Sequence, residues 1–327
     1  MNRPAFAAVQ ILGAALCASP LAAAPAPAGV MLGAHVGGQF DPDWKTDFTA
    51  LESAVGARLA IDNDQEDWAL FPNAERVRWD AAHGRRSMLS WRIVFHRDNP
   101  AGGCATAAAI VAGRYDAQLD RQAAAARALA VPLLVRFNYE MTNNEENTCF
   151  TGFRVKSDPA VAGAKYIAAW KHVVGRFRAA GAGNVKWVWA PGHHAYESGL
   201  WRQFYPGGDF VDWIGVDDYN KSDTPASFAA DPGILAFYAA AAPLGKPLMV
   251  AETGAVNDPR QTPDPQSLWL TTARTYLKAH PAIKAFVYWN NPGKFSRQNP
   301  GYGGSGYILQ GPGLAAFRAM AADPYFR

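Results

Sequence analysis

The stretch VPLLVRFNYEM, residues 131–141, decides the fold. Val131 to Val135 read as a buried strand, and Arg136, Asn138, Tyr139 and Glu140 follow at once. An apolar strand that ends in a burst of charge is either leaving the core for water or delivering side chains to a site. Barrels and open parallel sheets keep their chemistry at the carboxyl ends of their strands.

Seven further apolar runs repeat the pattern: VMLGAHV (30–36), RLAIDN (58–63), RSMLSWRI (86–93), VKWVWAP (185–191), VDWIGVDDY (211–219), PLMVAETG (247–254) and IKAFVYWN (283–290). Helical stretches lie between them. In 161–179, Ile167, Trp170, Val174 and Phe177 share one face of a helix. Segment 115–130 opens with Asp116 and stops before Val131-Pro132, and 226–243, 265–279 and 312–321 also read as helices. Near-continuous apolar strands joined by helix-length crossovers imply a parallel sheet. Eight such units in about 300 residues predict a single (β/α)8 TIM barrel. The alternative is an open doubly wound sheet, but no G-x-G-x-x-G follows the first run, which disfavours a dinucleotide site.

The chain has 327 residues, 49% hydrophobic and 18% charged, with a formal net charge of +3. That charge is too small to argue for nucleic acid or an acidic membrane surface. Eleven Trp, twelve Tyr and seventeen Phe are many for this length. Exposed aromatics suit flat, semi-apolar ligands such as sugar rings. The start reads as a secretory signal: MNRP carries Arg3, AFAAVQILGAALCA is apolar, and SPLAAAPAPA offers small residues for cleavage between 22 and 28. The division expected is a leader over 1–28 and one barrel domain over 29–327, secreted or periplasmic. Removing the leader removes Cys17, and the two remaining cysteines, Cys104 and Cys149, are expected to form one disulfide.

The strand ends, in order, offer His35, Asp62, Trp91 with Arg92, Arg136 with Asn138, Tyr139 and Glu140, Trp189, Asp217 with Tyr219, Glu252, and Trp289 with Asn290. Two carboxylates stand out, Glu140 after the fourth run and Glu252 after the seventh. In a closed eight-stranded barrel these ends face each other across the mouth. Two carboxyl groups about 5 to 5.5 Å apart suit retaining glycoside hydrolysis, one protonated to donate and one ionised to attack. Arg136, four residues before Glu140, is expected on the same strand face. Tyr219 is placed to orient the nucleophile, and Trp289 to lie under a sugar ring.

At this point the chain resembles glycoside hydrolase family 26, best known for β-mannanases, within the large clan of retaining (β/α)8 glycoside hydrolases. The resemblance rests on GRYDAQLDRQAAAARALAVPLLVRFNYEM, NVKWVWAPG, YPGGDFVDWIGVDDYN, KPLMVAETGA and IKAFVYWN, from about 113 to 291. It implies Glu140 as acid/base and Glu252 as nucleophile. It places Arg136, Asp217 and Tyr219 around them and Trp289 at the −1 sugar site; Trp91, Tyr139 and Trp189, from the strand-end reading, are expected against substrate as well. Family mannanases usually carry His before the acid/base, where this chain has Tyr139. Their tryptophan-rich stretch after it is here MTNNEENTCFTGF, with Phe150 and Phe153. Other members act on mixed-linkage β-glucan or β-1,3-xylan, and some relatives sit beside exopolysaccharide synthesis. A Cys104–Cys149 bridge would brace the loop after Glu140.

Rival chemistries fare worse. There is no H-E-x-x-H, and in GHH (192–194) adjacent histidines of an extended segment point apart, so no metal is expected there. Glu145, Glu146 and Asp158 read as a solvated acidic loop. No G-x-S-x-G is present, and GGSG (303–306) lacks a following lysine. The expectation is therefore an enzyme without cofactor, monomeric, partnered by a polysaccharide or oligosaccharide. The alternative of another class is a barrel that binds sugar without cutting it.

Overall fold

The computed structural model describes residues 29–37, 42–94, 103–143, 149–221, 226–258, 260–291 and 306–326. The leader (1–28) and the loop residues Glu145 and Glu146 lie outside the described residues. In chain order the elements are β1 (Met31–His35), α1 (Trp44–Val55), β2 (Ile61–Glu66), α2 (Ala74–Ala82), β3 (Arg86–Trp91), α3 (Ala107–Val111), α4 (Asp116–Ala128), β4 (Leu133–Phe137), α5 (Pro159–Ala179), β5 (Val185–Trp189), α6 (His193–Glu197), α7 (Trp201–Phe204), β6 (Trp213–Asn220), α8 (Pro232–Ala241), β7 (Leu248–Ala255), α9 (Pro265–Ala279), β8 (Ile283–Trp289) and α10 (Gly311–Ala321).

The eight strands pair in sequence order, all parallel, into a closed barrel. Closure is made by β1 on β8, from Met31 opposite Ala285 to His35 opposite Trp289. Helix starts follow their chemistry. Asn73, Thr106, Asp231 and Asp264 accept the free N–H groups that open α2, α3, α8 and α9. Pro159, Pro232 and Pro265 sit in first turns, where the missing N–H has no partner to lose. Helices α1 and α2 are added by the structure, and Phe48, Leu51 and Val55 form the buried face of α1.

Both faces of the sheet are buried, as a parallel barrel requires. Met31, Ile61, Met88, Leu134, Val188, Trp213, Met249 and Ala285 fill the interior. The larger cluster lies between sheet and helices and includes Trp91, Trp170, Trp187, Trp189 and Trp269. Gly33 shows how tight the interior is: a Cβ there would lie 2.6 Å from Ile61 Cβ. Above the apolar interior, toward the strand ends, the same inward-facing positions turn polar.

Candidate active site

The inward parity of β4 runs through Leu134 to Arg136, so the guanidinium of Arg136 enters the barrel with no exposed surface. Its Nη1 donates to Glu252 Oε1 at 2.6 Å and to Ser90 Oγ at 3.1 Å, and its Nη2 donates to Asp217 Oδ2. Arg136 thus clamps Glu252 and Asp217, and does not stand behind Glu140 as simple strand alternation predicts. Alternation ends at Phe137. Asn138 and Glu140 both take positive φ, 42° and 50°, conformations unfavourable for side chains with a Cβ. Neighbouring backbone over-determines them: Asn138 N–H donates to Trp91 O at 2.8 Å and Glu140 N–H to Ala190 O at 2.9 Å. The two twists set Glu140 at the mouth, half-buried, where Oε2 accepts from Asn143 Nδ2 at 3.1 Å.

Glu252 arrives by a β-bulge. Val250 pairs with Val216, yet Glu252 pairs with Asp217, so β7 holds one extra residue. Ala251 and Glu252 consequently both reach the interior. The bulge lets Glu252 meet Arg136 on one oxygen and Tyr219 on the other, whose hydroxyl donates to Oε2 at 2.8 Å. Burial holds the Tyr219 phenol well above its ordinary range, and the charges of Glu252, Asp217 and Glu140 push the same way. It is therefore a proton donor at neutral pH. Burial likewise pushes the Asp217 carboxyl well up against the pull of Arg136, with Glu252 and Glu140 adding to the rise. The charge of both glutamates reaches Asp217 and Tyr219, so the two carboxylates converge on one polar centre.

Tyr139 is nearly buried, its ring under the Arg136 guanidinium at 4.4 Å. Its hydroxyl accepts from Gln65 Nε2 at 2.9 Å and Arg92 Nε at 3.1 Å. A small cavity beside it is lined by Arg92, Ile93, Val94, Asn138 and Tyr139. On the far wall Trp289, half-buried, stacks on His35 at 3.8 Å. His35 Nδ1 lies 2.7 Å from Asn63 O, a carbonyl that only accepts, so Nδ1 carries the proton. Burial lowers the His35 pKa to about 4, and the imidazole under Trp289 is neutral.

Two expected sugar contacts are not at this centre. Trp91 is fully buried toward the helices, stacked on Phe71 (4.3 Å) and Trp68 (5.0 Å), with Nε1 donating to Trp68 O. Trp189 is also fully buried outward, edge-on to Tyr205 at 5.1 Å. The reason is parity: Ser90 and Val188 point inward, so their neighbours cannot. Asp62 is outward too, ion-paired with Arg76. Asn290 serves structure, its Oδ1 accepting from Leu309 N–H at 2.7 Å. The structure adds Ser90, Gln65, Asn143 and Tyr307. Tyr307 lies 5.2 Å from the Tyr219 ring, and a Cβ on Gly254 would sit 2.9 Å from its ring. Ser90, Gln65 and Asn143 carry no sequence signal beyond their place near a strand end, and Tyr307, between β8 and α10, carries none.

Cys104 and Cys149 form a disulfide with Cα atoms 6.2 Å apart. Cys104 lies on a bridge to Val94 after β3, so the bond ties that segment to the chain following Glu140. The backbone at His193 and His194 is helical, not extended as expected from GHH, which alters how these side chains project. Among the described residues no helix is long and apolar enough to cross a membrane.

Comparison with known proteins follows the same lines. Endoglucanase H of Acetivibrio thermocellus is 28% identical over 233 residues, 68% of this chain. The chain spans about a quarter of the length of that curated relative, 24%. A Bacillus subtilis mannanase superposes with a TM-score of 0.62 at 18% identity, over 91% of this chain and 86% of that one. A β-mannanase of family 26 from Bacteroides ovatus gives 0.63 at 17%, over 92% and 90%. These likenesses establish the barrel. The sequence profile described as Glycosyl hydrolase family 26 matches residues 108–257, which hold β4 to β7 with Arg136, Glu140, Asp217, Tyr219 and Glu252, and over this stretch the chain is similar to that family.

Proposed function

We propose that the chain is a secreted retaining glycoside hydrolase that cleaves internal β-linkages of a polysaccharide, β-mannan first. Its leader is cut between residues 22 and 28, and the barrel over 29–327 is the catalytic unit, acting as a monomer without cofactor. The observation that carries the reading is the unequal setting of the two glutamates. Glu252 receives a guanidinium on one oxygen and a phenol on the other. These two bonds hold the Glu252 carboxylate in one orientation. Glu140 sits higher in the mouth beside a neutral amide donor, in the field of other carboxylates.

In the reaction, Glu252 attacks the anomeric carbon while Glu140 gives its proton to the departing glycosidic oxygen. A covalent glycosyl–Glu252 ester results. Glu140, now ionised, takes a proton from water as the water oxygen attacks the same carbon and releases Glu252. Two inversions retain configuration. Arg136 and Tyr219 fix the attacking carboxylate, and Trp289 supplies the apolar face under the sugar. Asp217 accepts a hydrogen bond from Arg136 Nη2 and helps fix that guanidinium, and Tyr139 packs beneath it.

A second reading, mixed-linkage or other β-glucan, is favoured by the likeness to an endoglucanase. β-1,3-Xylan and a bacterial exopolysaccharide use the same chemistry. Product release by purified mature protein from galactomannan, glucomannan, mixed-linkage glucan and β-1,3-xylan decides among them. Glu140→Ala and Glu252→Ala run beside the wild type. Release from galactomannan, lost in both variants, supports the first reading, and release from glucan alone supports the second. Binding of a polymer without release would move the chain to a non-catalytic sugar-binding barrel.

A further inference from the structure

Helix α6 opens directly after the β5 end, and its first turn gathers an imidazole-rich cluster that the proposed hydrolysis does not use. Among the described residues, His193, His194 and Glu197 form the one group of three or more His, Cys, Asp or Glu side chains whose ligand atoms lie within 4.8 Å of one another. His193 Nδ1 is 2.7 Å from Glu197 Oε1, and His194 Nδ1 is 3.6 Å from Glu197 Oε2. The helical turn produces this: residues i and i+4, or i and i+3, share a face, where an extended chain would separate them.

Asp218, on the outward face of β6, is 1% exposed, and its Oδ1 lies 3.7 Å from the same His193 Nδ1 that faces Glu197. Its side chain hydrogen-bonds Asp231, which caps α8, so Asp218 borders the cluster with its own partner.

We propose that His193, His194 and Glu197 bind one divalent transition-metal ion of the zinc class. Two imidazoles and one carboxylate suit zinc or nickel, and hard cations that prefer all-oxygen shells are poorly matched. The exposed side of His194 leaves a position for water. The ion would brace the β5–α6 corner. That corner adjoins the active centre, because Gly192 forms a β-bridge with Asp217.

The test is isothermal titration of chelator-treated full-length mature protein with Zn2+, Ni2+ and Mg2+, with melting temperature followed in parallel. One saturable Zn2+ equivalent is expected, with an upward shift in melting temperature and no response to Mg2+. His194→Ala and Glu197→Gln change solvent-facing groups and keep the fold. Each is expected to weaken Zn2+ by about tenfold or more, while His83→Ala retains it. No saturable Zn2+ binding, binding unchanged in His194→Ala and Glu197→Gln, or equal binding of Mg2+ would overturn the proposal.

Discussion

Two of the buried arginines, Arg136 and Arg76, are each clamped between two carboxylates, and they are opposite in consequence. Arg136 faces inward, toward the mouth, and holds Glu252 and Asp217. Arg76, from α2, faces the outside of β2 and holds Asp62 through Nη2 at 2.6 Å and Asp64 through Nη1 at 2.9 Å. The Trp44 ring lies 4.7 Å from the Arg76 guanidinium and helps close that cluster. Its ion-paired side chains are at most 2% exposed, whereas the Glu252 side chain keeps 6% and shares an oxygen with Tyr219. The same residues are structural where the helix layer seals them and chemical where one carboxylate is left reachable.

Substitutions should separate the two clusters. The largest effect is expected at Glu252→Ala, which lowers kcat by about four or more orders of magnitude while the melting temperature holds near wild type. Glu140→Ala follows, with a loss of about 10²- to 10⁴-fold from the missing proton transfer. In the outer cluster Arg76→Ala should destabilise the fold by about 3–5 kcal/mol, by urea unfolding, because two buried carboxylates lose their cation. The residual folded fraction should cut polymer at the wild-type rate per folded molecule. If Arg76→Ala instead removes turnover without loss of stability, the outer cluster is not merely structural.

The His35 pocket carries a pH signature. Its pKa is lowered to about 4 in the fold against 6.5 when exposed. Between these values the unfolded chain binds the extra proton, so the stability His35 confers is complete above pH 6.5 and is lost as pH falls toward 4. The difference in unfolding free energy between wild type and His35→Asn should therefore change by about 3 kcal/mol across that window. Asp64, raised to about 6 chiefly by burial, and Asp80, raised to about 9 by burial and by Asp62, act with opposite sign. Both are more protonated in the fold, so their contribution falls as pH rises from about 4 to each folded value. Subtracting the two curves isolates the His35 contribution.

The smallest effect is expected from Tyr219→Phe. It removes one hydrogen bond to Glu252 and should lower kcat by about 10- to 100-fold, roughly 1.5–3 kcal/mol, with little change in KM. A change confined to KM would place Tyr219 in sugar binding and leave the orientation of Glu252 to Arg136.

The eight apolar runs read correctly as eight strands, because length and spacing are written in composition. Which way a strand-end residue points is not. Both faces of a parallel barrel are buried, so RSMLSWRI and VKWVWAP show no alternation, and Trp91 and Trp189 were as plausible inward as Trp289. The extra residue at Ala251 and the positive φ at Asn138 and Glu140 shift parity where the two glutamates enter. Glu252 and Glu140 could be singled out by chemistry and family resemblance, but the Arg136–Glu252 pairing could not. Asp62 and Asp217 looked alike as sequence, since only the helix packed on one side distinguishes them.

The central claim is that the arginine-held Glu252 is the nucleophile. The direct measurement is peptide mapping by mass spectrometry after incubation with 2-deoxy-2-fluoro-β-mannosyl and β-glucosyl substrates bearing activated leaving groups, which slow release of a covalent intermediate. The account predicts one sugar ester, on the β7 peptide at Glu252, absent in Glu252→Ala. A label at Glu140, or no label from either sugar while the enzyme releases products of inverted configuration from its polymer, would contradict it.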